Sequence, residues 1–169
     1  MTIRQCDSED FSEILAIIND AAEAYKGVIP DNCFHDPYMS SDELQREIDA
    51  GVCFWGLEIE RILAGVMGIQ ELPEVTLIRH AYVRTVRQHQ GLGADLLHHL
   101  RGVSRRPLLV GTWASAGWAI RFYKRHGFQV VRSTVAPVLL KRFWSISDRQ
   151  IETSVVLAEA ATSPPSTGI

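Results

Sequence analysis

The segment Gln88-His89-Gln90-Gly91-Leu92-Gly93 sets two glycines two residues apart, between an apolar run, Val75 to Val83, and a helical pattern, Leu92 to Leu100. A tight turn between strand and helix leaves several backbone N–H groups pointing outward. Gly91 and Gly93 carry no side chain to keep a ligand away from them. Aided by the helix dipole, such a turn is an anion site suited to a pyrophosphate. The histidines suggest less. His98 and His99 are adjacent on a helix and diverge by about 100°, so they cannot share a metal. Cys33 and His35 are two potential ligands, too few for a closed zinc site, and no metal is expected. His126, at a helix end, would complement the dipole there. No Ser–His–Asp arrangement can be picked out.

Val83, Gln88, Gly91 and Gly93 fill every position of a known acetyl-CoA motif: Val, four residues, Gln or Arg, two residues, Gly, one residue, Gly or Ala. Further on, the run from Ala119 to Phe128, with Phe122, Tyr123 and Gly127, looks like a second signature of the same family. On these residues the chain resembles the GCN5-related N-acetyltransferase (GNAT) family, in detail from Val75 to Val131.

The resemblance implies an acetyl-CoA-dependent N-acetyltransferase whose acceptor amine attacks the thioester directly in a ternary complex. It implies that backbone at Ala81, Tyr82 and Val83 holds the pantetheine arm. The turn residues Gln88, His89, Gln90, Gly91, Leu92, Gly93 and Ala94 would hold the pyrophosphate. It also gives Tyr123 a role as the acid that protonates the departing thiolate; a phenol with a pKa near 10 is protonated at neutral pH. The general base is where the chain departs from the family. A Glu often stands on the strand before the turn or on the next strand, but Leu77, Arg79 and Gly111 occupy those places, and Ala116 replaces a frequent Asn. His80 is the nearest titratable replacement. Strict alternation puts it on the opposite face from Leu77 and Arg79, and a bulge would change that phase. Glu71 and Glu74 offer a water-mediated alternative.

Charge is unevenly spread. Between Arg79 and Thr134 stand ten Lys/Arg residues and one acid, Asp95, whereas residues 1–60 hold fourteen acids and three bases. The basic half suits the phosphates of CoA. The acidic half suits a cationic acceptor, a small polyamine-like compound or a basic peptide. Phe34, His35, Tyr38 and Trp55 either line that acceptor site or complete the core. Two other classes stand beside the enzyme: a degenerate module that binds acyl-CoA without turnover, and a nucleic-acid-binding protein using the basic half. Overall charge of -3 speaks against nucleic acid. No apolar run approaches the roughly 20 residues needed to span a bilayer. Three widely spaced cysteines read as reduced thiols, so a cytoplasmic protein is expected, with no membrane partner. A homodimer is an open expectation.

The elements that must position these residues follow from periodicity. Ile3-Arg4 begins a first strand, and Ser8 to about Ala24 is an amphipathic helix. Tyr25 to Met39 is a loop, and Ser40-x-x-Glu43 is a capping box for a short helix that Gly51 stops. Val52 to Ile59 and Ile62 to Gln70 form a hairpin through Glu60-Arg61. Strand Val75 to Val83, a helix from Leu92 that Gly102 closes, strand Leu108 to Thr112, helix Gly117 to His126 and strand Phe128 to Arg132 follow. Val135 to Trp144 is a helix or an irregular insert, and Ile151 to Leu157 a final strand. This order predicts an α/β (α+β) sandwich with a mixed, mostly antiparallel central sheet and helices on both faces, in agreement with the acetyltransferase fold. Residues 1–159 are expected to be one domain and 160–169 a disordered tail.

Overall fold

Arg4, on strand β1 (Thr2–Gln5), reaches across to Asp10 through two bonds of 2.7 and 2.8 Å and to Glu58 at 2.8 Å. Asp10 also accepts the Asp7 N–H, so β1 is bound to the turn that starts helix α1 (Phe11–Ala22). Ile14, Ile17, Ile18 and Ala21 form the buried stripe of α1, spaced as one helical face requires. Helix α2 (Ser41–Asp49) starts at Ser40, whose hydroxyl accepts the Glu43 N–H. Only that half of the expected capping box forms, because the Glu43 side chain lies along the cleft described below.

The computed structural model describes residues 1–160, and the predicted tail lies, from residue 161 on, outside the described residues. Strands β2 (Val52–Ile59) and β3 (Ile62–Glu71) are joined by Glu60 and Arg61, both at positive φ, the conformation that matches the twist of a two-residue hairpin. Next come β4 (Thr76–Val83), α3 (Leu92–Val103), β5 (Leu108–Trp113), α4 (Gly117–Arg125) and β6 (Phe128–Val130). Helices α5 (Ala136–Phe143) and α6 (Asp148–Glu152) precede β7 (Ser154–Glu159). Among the described residues, seven strands lie in the order β1-β2-β3-β4-β5-β7-β6, and only β4 and β5 run parallel. The sheet is therefore mixed and mostly antiparallel, as predicted.

Helices α3 and α4 cover one face. Leu96, Leu97 and Leu100 pack there with Ile78, Val110, Tyr123 and Leu157. Helices α1 and α2 cover part of the other face, over Val52, Phe54 and Val66. Helices α5 and α6 cover the rest, over Leu77, Leu109 and Val156.

Several boundaries differ from the sequence reading. The last strand starts at Ser154, not Ile151. A capping box of Ser147 and Gln150 starts α6, and Ile151 buries its side chain from that helix against Leu77 and Leu140. Gly102 does not close α3, which runs on to Val103 and ends where the Ser104 N–H closes on Leu100. The strand from Phe128 stops at Val130.

Candidate active site

Strands β4 and β5 pair at Thr76/Leu108, Leu77/Leu109 and Ile78/Val110, and there the ladder ends. Both strands continue, to Val83 and Trp113, so they diverge and open a wedge in the sheet. The wedge leads into a cleft of about 1130 Å³. Strand β4 is also bulged. Val66 faces Tyr82 and Gly68 faces Arg79, so Met67 alone stands opposite His80 and Ala81. His80 takes φ 52°, a left-handed conformation costing about 1–2 kcal/mol for a residue with a Cβ.

The bulge shifts the alternation of side chains. Arg79 and His80, consecutive in sequence, both reach one oxygen of Glu47 on α2: the Arg79 guanidinium at 2.5 Å and His80 Nε2 at 3.3 Å. Phe54 stacks on the imidazole with centroids 5.9 Å apart. Burial opposes ionisation of Glu47. His80 and Arg79 outweigh it, and the carboxyl is held below its ordinary value. A carboxylate absent from β4 and β5 thus stands beside His80 from a helix. Sequence reasoning missed it, although Glu47 stands three residues after buried Leu44 and next to Ile48, on the side of α2 that turns inward.

On the far side of the wedge, His89 (φ 62°) and Gly91 (φ 85°) curl the chain into α3. Among the described residues, the N–H groups of His89 through Gly93 have no protein acceptor, while Ala94 and Asp95 close on the Gly91 carbonyl. Five successive donors at a helix N-terminus can receive a phosphate group. The Gln88 side-chain amide donates to the Val83 carbonyl at 3.2 Å and ties the turn to β4. Ala81, Tyr82, Val83 and the turn residues line the cleft, except Gln90. Arg87 and Arg125 line it too and can balance phosphate charge. Arg84 is committed to Glu13 and to the Leu63 carbonyl. His126 caps the C-terminal end of α4. Burial, then Arg101 and Arg125, lowers its pKa and favours the neutral ring.

Tyr123 projects from α4 against Phe122 and Phe128, 4% exposed, and still lines the cleft. Burial, with Tyr25 adding to it, pushes its phenol up, so it stays protonated at every ordinary pH. Tyr25, Tyr38 and Tyr82 line the same cleft. Tyr25 stands 5.5 Å from Tyr38, 6.4 Å from Tyr82 and 5.7 Å from Trp118 between ring centroids. The Trp113 indole donates to the Tyr38 hydroxyl at 3.2 Å. Burial pushes the Tyr25 phenol up to about 12.

Other candidates fall elsewhere. Glu71 and Glu74 pair with Arg106 and Arg142 and do not line the cleft. At Gly111 the Trp144 ring would lie 3.3 Å from an added Cβ, so the indole takes the room a carboxylate there would need. Ala116 is fully buried at the start of α4 and offers no side-chain cap. His35 and Tyr38 line the cleft, Phe34 packs behind Tyr38, and Trp55 packs tilted against His99 on the face that α3 covers.

The family model of the acetyltransferase (GNAT) domain matches residues 17–137. Comparison with curated proteins finds no sequence match. Among solved structures, a GNAT-family acetyltransferase from Staphylococcus aureus is 14% identical, with TM-score 0.68 over 94% of this chain and 97% of its own. The PaiA N-acetyltransferase of Thermoplasma acidophilum, in complex with coenzyme A, is 14% identical, with TM-score 0.71 over the same shares. The ribosomal-protein-S18-alanine N-acetyltransferase of Escherichia coli is 18% identical, with TM-score 0.64 over 99% and 98%.

Proposed function

The chain belongs to the acetyltransferase (GNAT) family, and from that premise we propose that it is an acetyl-CoA-dependent N-acetyltransferase acting on a primary amine in a ternary complex. One observation carries the reading. A turn of free amides, an opened strand pair, a protonated phenol and a histidine backed by a carboxylate all border one cleft. The amides of residues 88–94 receive the pyrophosphate of the co-substrate, and the β4 backbone at Ala81, Tyr82 and Val83 holds the pantetheine arm. PaiA N-acetyltransferase, on the same fold, is solved in complex with coenzyme A, which supports a CoA co-substrate.

His80 accepts the proton that the amine loses as its nitrogen bonds to the carbonyl carbon. Tyr123 gives its proton to the sulfur as the carbon–sulfur bond breaks. Such acid and base groups typically contribute about 10²–10⁴-fold each. Residues 1–159 form the one catalytic domain in this reading. Nucleic acid has no part in this reading: Arg79, Arg84, Arg101 and Arg106 of the basic half are engaged in ion pairs with the protein's own acids.

The acceptor side of the cleft carries Glu43 and Glu47, but also Arg46 and Arg79. The acidic surplus of residues 1–60 is therefore largely compensated at the site, and the aromatic walls favour an amine through its cation–π attraction. The rival reading, a binding module without turnover, rested on the missing strand carboxylates and on Ala116; the Glu47–His80 pair weakens the first support and leaves the second.

Release of CoA thiol from acetyl-CoA in the presence of a panel of primary amines tests the proposal. Amine-dependent release is expected. Tight acetyl-CoA binding with no release for any amine would assign the protein to the binding class.

A further inference from the structure

His80 is held from three sides. The bulge sets its backbone at φ 52°, Phe54 lies against its ring, and Glu47 meets Nε2 at 3.3 Å. Its side chain is 15% exposed and that of Glu47 23%. The other ring nitrogen, Nδ1, has no protein partner among the described residues, and the residue lines the cleft. An ionised carboxylate can only accept hydrogen bonds. The Glu47 oxygen already accepts from Arg79, an arrangement that keeps it ionised. The ring nitrogen facing it must therefore be the one that carries hydrogen.

We propose that Glu47 is the positioning residue of this site. It accepts the Nε2 proton of His80 and holds the neutral imidazole in the tautomer whose lone pair is on Nδ1, the nitrogen free to take a proton from the acceptor amine. The last clause rests on the acetyltransferase reading, while the tautomer stands apart from it. Arg79 has a separate part. It shares the same carboxylate oxygen and binds Gln70 at 2.9 Å, which fixes the Glu47 side chain between α2 and β4. Glu47 itself, bound to a guanidinium, is a poor base, and that leaves His80 to move the proton. The outer half of β4 carries no acid. In this protein the base and its orienting carboxylate come from two elements, and the strained bulge brings them together.

Long-range proton–nitrogen correlation spectra of protein labelled in its histidine rings read the tautomer directly, without turnover. His80→Asn assigns the signals, since Asn tolerates a left-handed φ and is no base. The expected result is hydrogen on Nε2 in the wild type and loss of that preference in Glu47→Gln. Hydrogen on Nδ1 in the wild type would overturn the proposal, even if the variant failed to fold. The kinetic counterpart is a double-mutant cycle. Glu47→Gln alone should lower kcat by roughly 10²-fold, the low end for a positioned base, with unchanged acetyl-CoA affinity. In the His80→Asn background it should lower kcat no further. Equal losses in both backgrounds would make Glu47 a structural pin only. A wild type that releases no thiol with any amine would sink the acetyltransferase reading and leave the tautomer result standing.

Discussion

Burial sets the state of the phenol at the wedge. Tyr123 is 4% exposed among aromatic rings, and that environment disfavours its anion. His80 is half-buried beside two charged groups. A phenol kept protonated suits the donor's role. Tyr123→Phe keeps the ring packing and removes only the proton. It should lower kcat by about 10²–10⁴-fold, or about 3–5 kcal/mol at 1.36 kcal/mol per decade, with acetyl-CoA affinity little changed. The loss should shrink with an acyl donor whose thiol departs readily without a proton. Equal losses with good and poor leaving groups would remove Tyr123 from the chemistry. Tyr123 could be named from sequence because its neighbours repeat a family pattern. Glu47 could not, because its proximity to His80 depends on how α2 docks on the sheet. The face His80 occupies was also hidden, since nothing in the β4 sequence announces where a bulge falls.

The glycine turn and α3 behave as one element. Gly91 must take φ 85°, so Gly91→Ala should cost about 1–2 kcal/mol, and at 2–4 °C per kcal/mol for a chain of this size the midpoint should fall by about 2–8 °C. Gly93 is different. An added Cβ there would meet Phe122 at 3.6 Å, an ordinary contact, so Gly93→Val should fold. Its branched side chain would fill the cleft between the turn, Val83 and Phe122 and should weaken acetyl-CoA binding by at least about tenfold, roughly 1.4 kcal/mol. Calorimetry checks both, and unchanged affinity in folded Gly93→Val would refute the assignment of the turn. At this scale the sequence reading succeeded where turn chemistry and periodicity agreed, as in the Glu60-Arg61 hairpin, α3 and α4. It failed at α6 and β7, because Ile151 is apolar in either setting and only packing against Leu140 shows that it belongs to a helix.

Across the whole molecule, the acidic N-terminal third and the basic middle are bound to each other: Glu13 to Arg84, Glu47 to Arg79, Asp20 to the backbone of Thr85. The Arg4–Asp10–Glu58 cluster adds a second tie between α1 and the sheet. Hydrogen bonds from Arg4, more than burial opposes, hold the Asp10 carboxyl below its ordinary value. A carboxyl lowered on folding contributes stability that is complete above the unfolded pKa of about 3.9 and is lost as pH falls through the folded value. Arg4 is 37% exposed, so the contribution is discounted to about 1 kcal/mol, or 2–4 °C in midpoint. Asp10→Asn should therefore melt lower than wild type by a constant interval above about pH 5, and the two should converge in stronger acid. A gap that persists unchanged in acid would show that packing, not charge, is at stake.

Among the described residues, three pairs, from Thr76/Leu108 to Ile78/Val110, are the only ladder joining the four strands β1–β4 to the three strands β5, β7 and β6. Mechanically this is a seam between two rafts, sewn at one end and backed by the apolar layer under α3. Such a seam separates units that open independently. Amide exchange in the unliganded protein should resolve two rafts with different opening free energies, the outer residues of β4 and β5 exchanging fastest within theirs. A ligand lying in the wedge would bridge both rafts and bind only the closed sheet, adding stability by mass action. Saturating acetyl-CoA should then bring the two sets of exchange rates together. One uniform protection level before the ligand is added would mean that the three pairs and the layer beneath them already suffice.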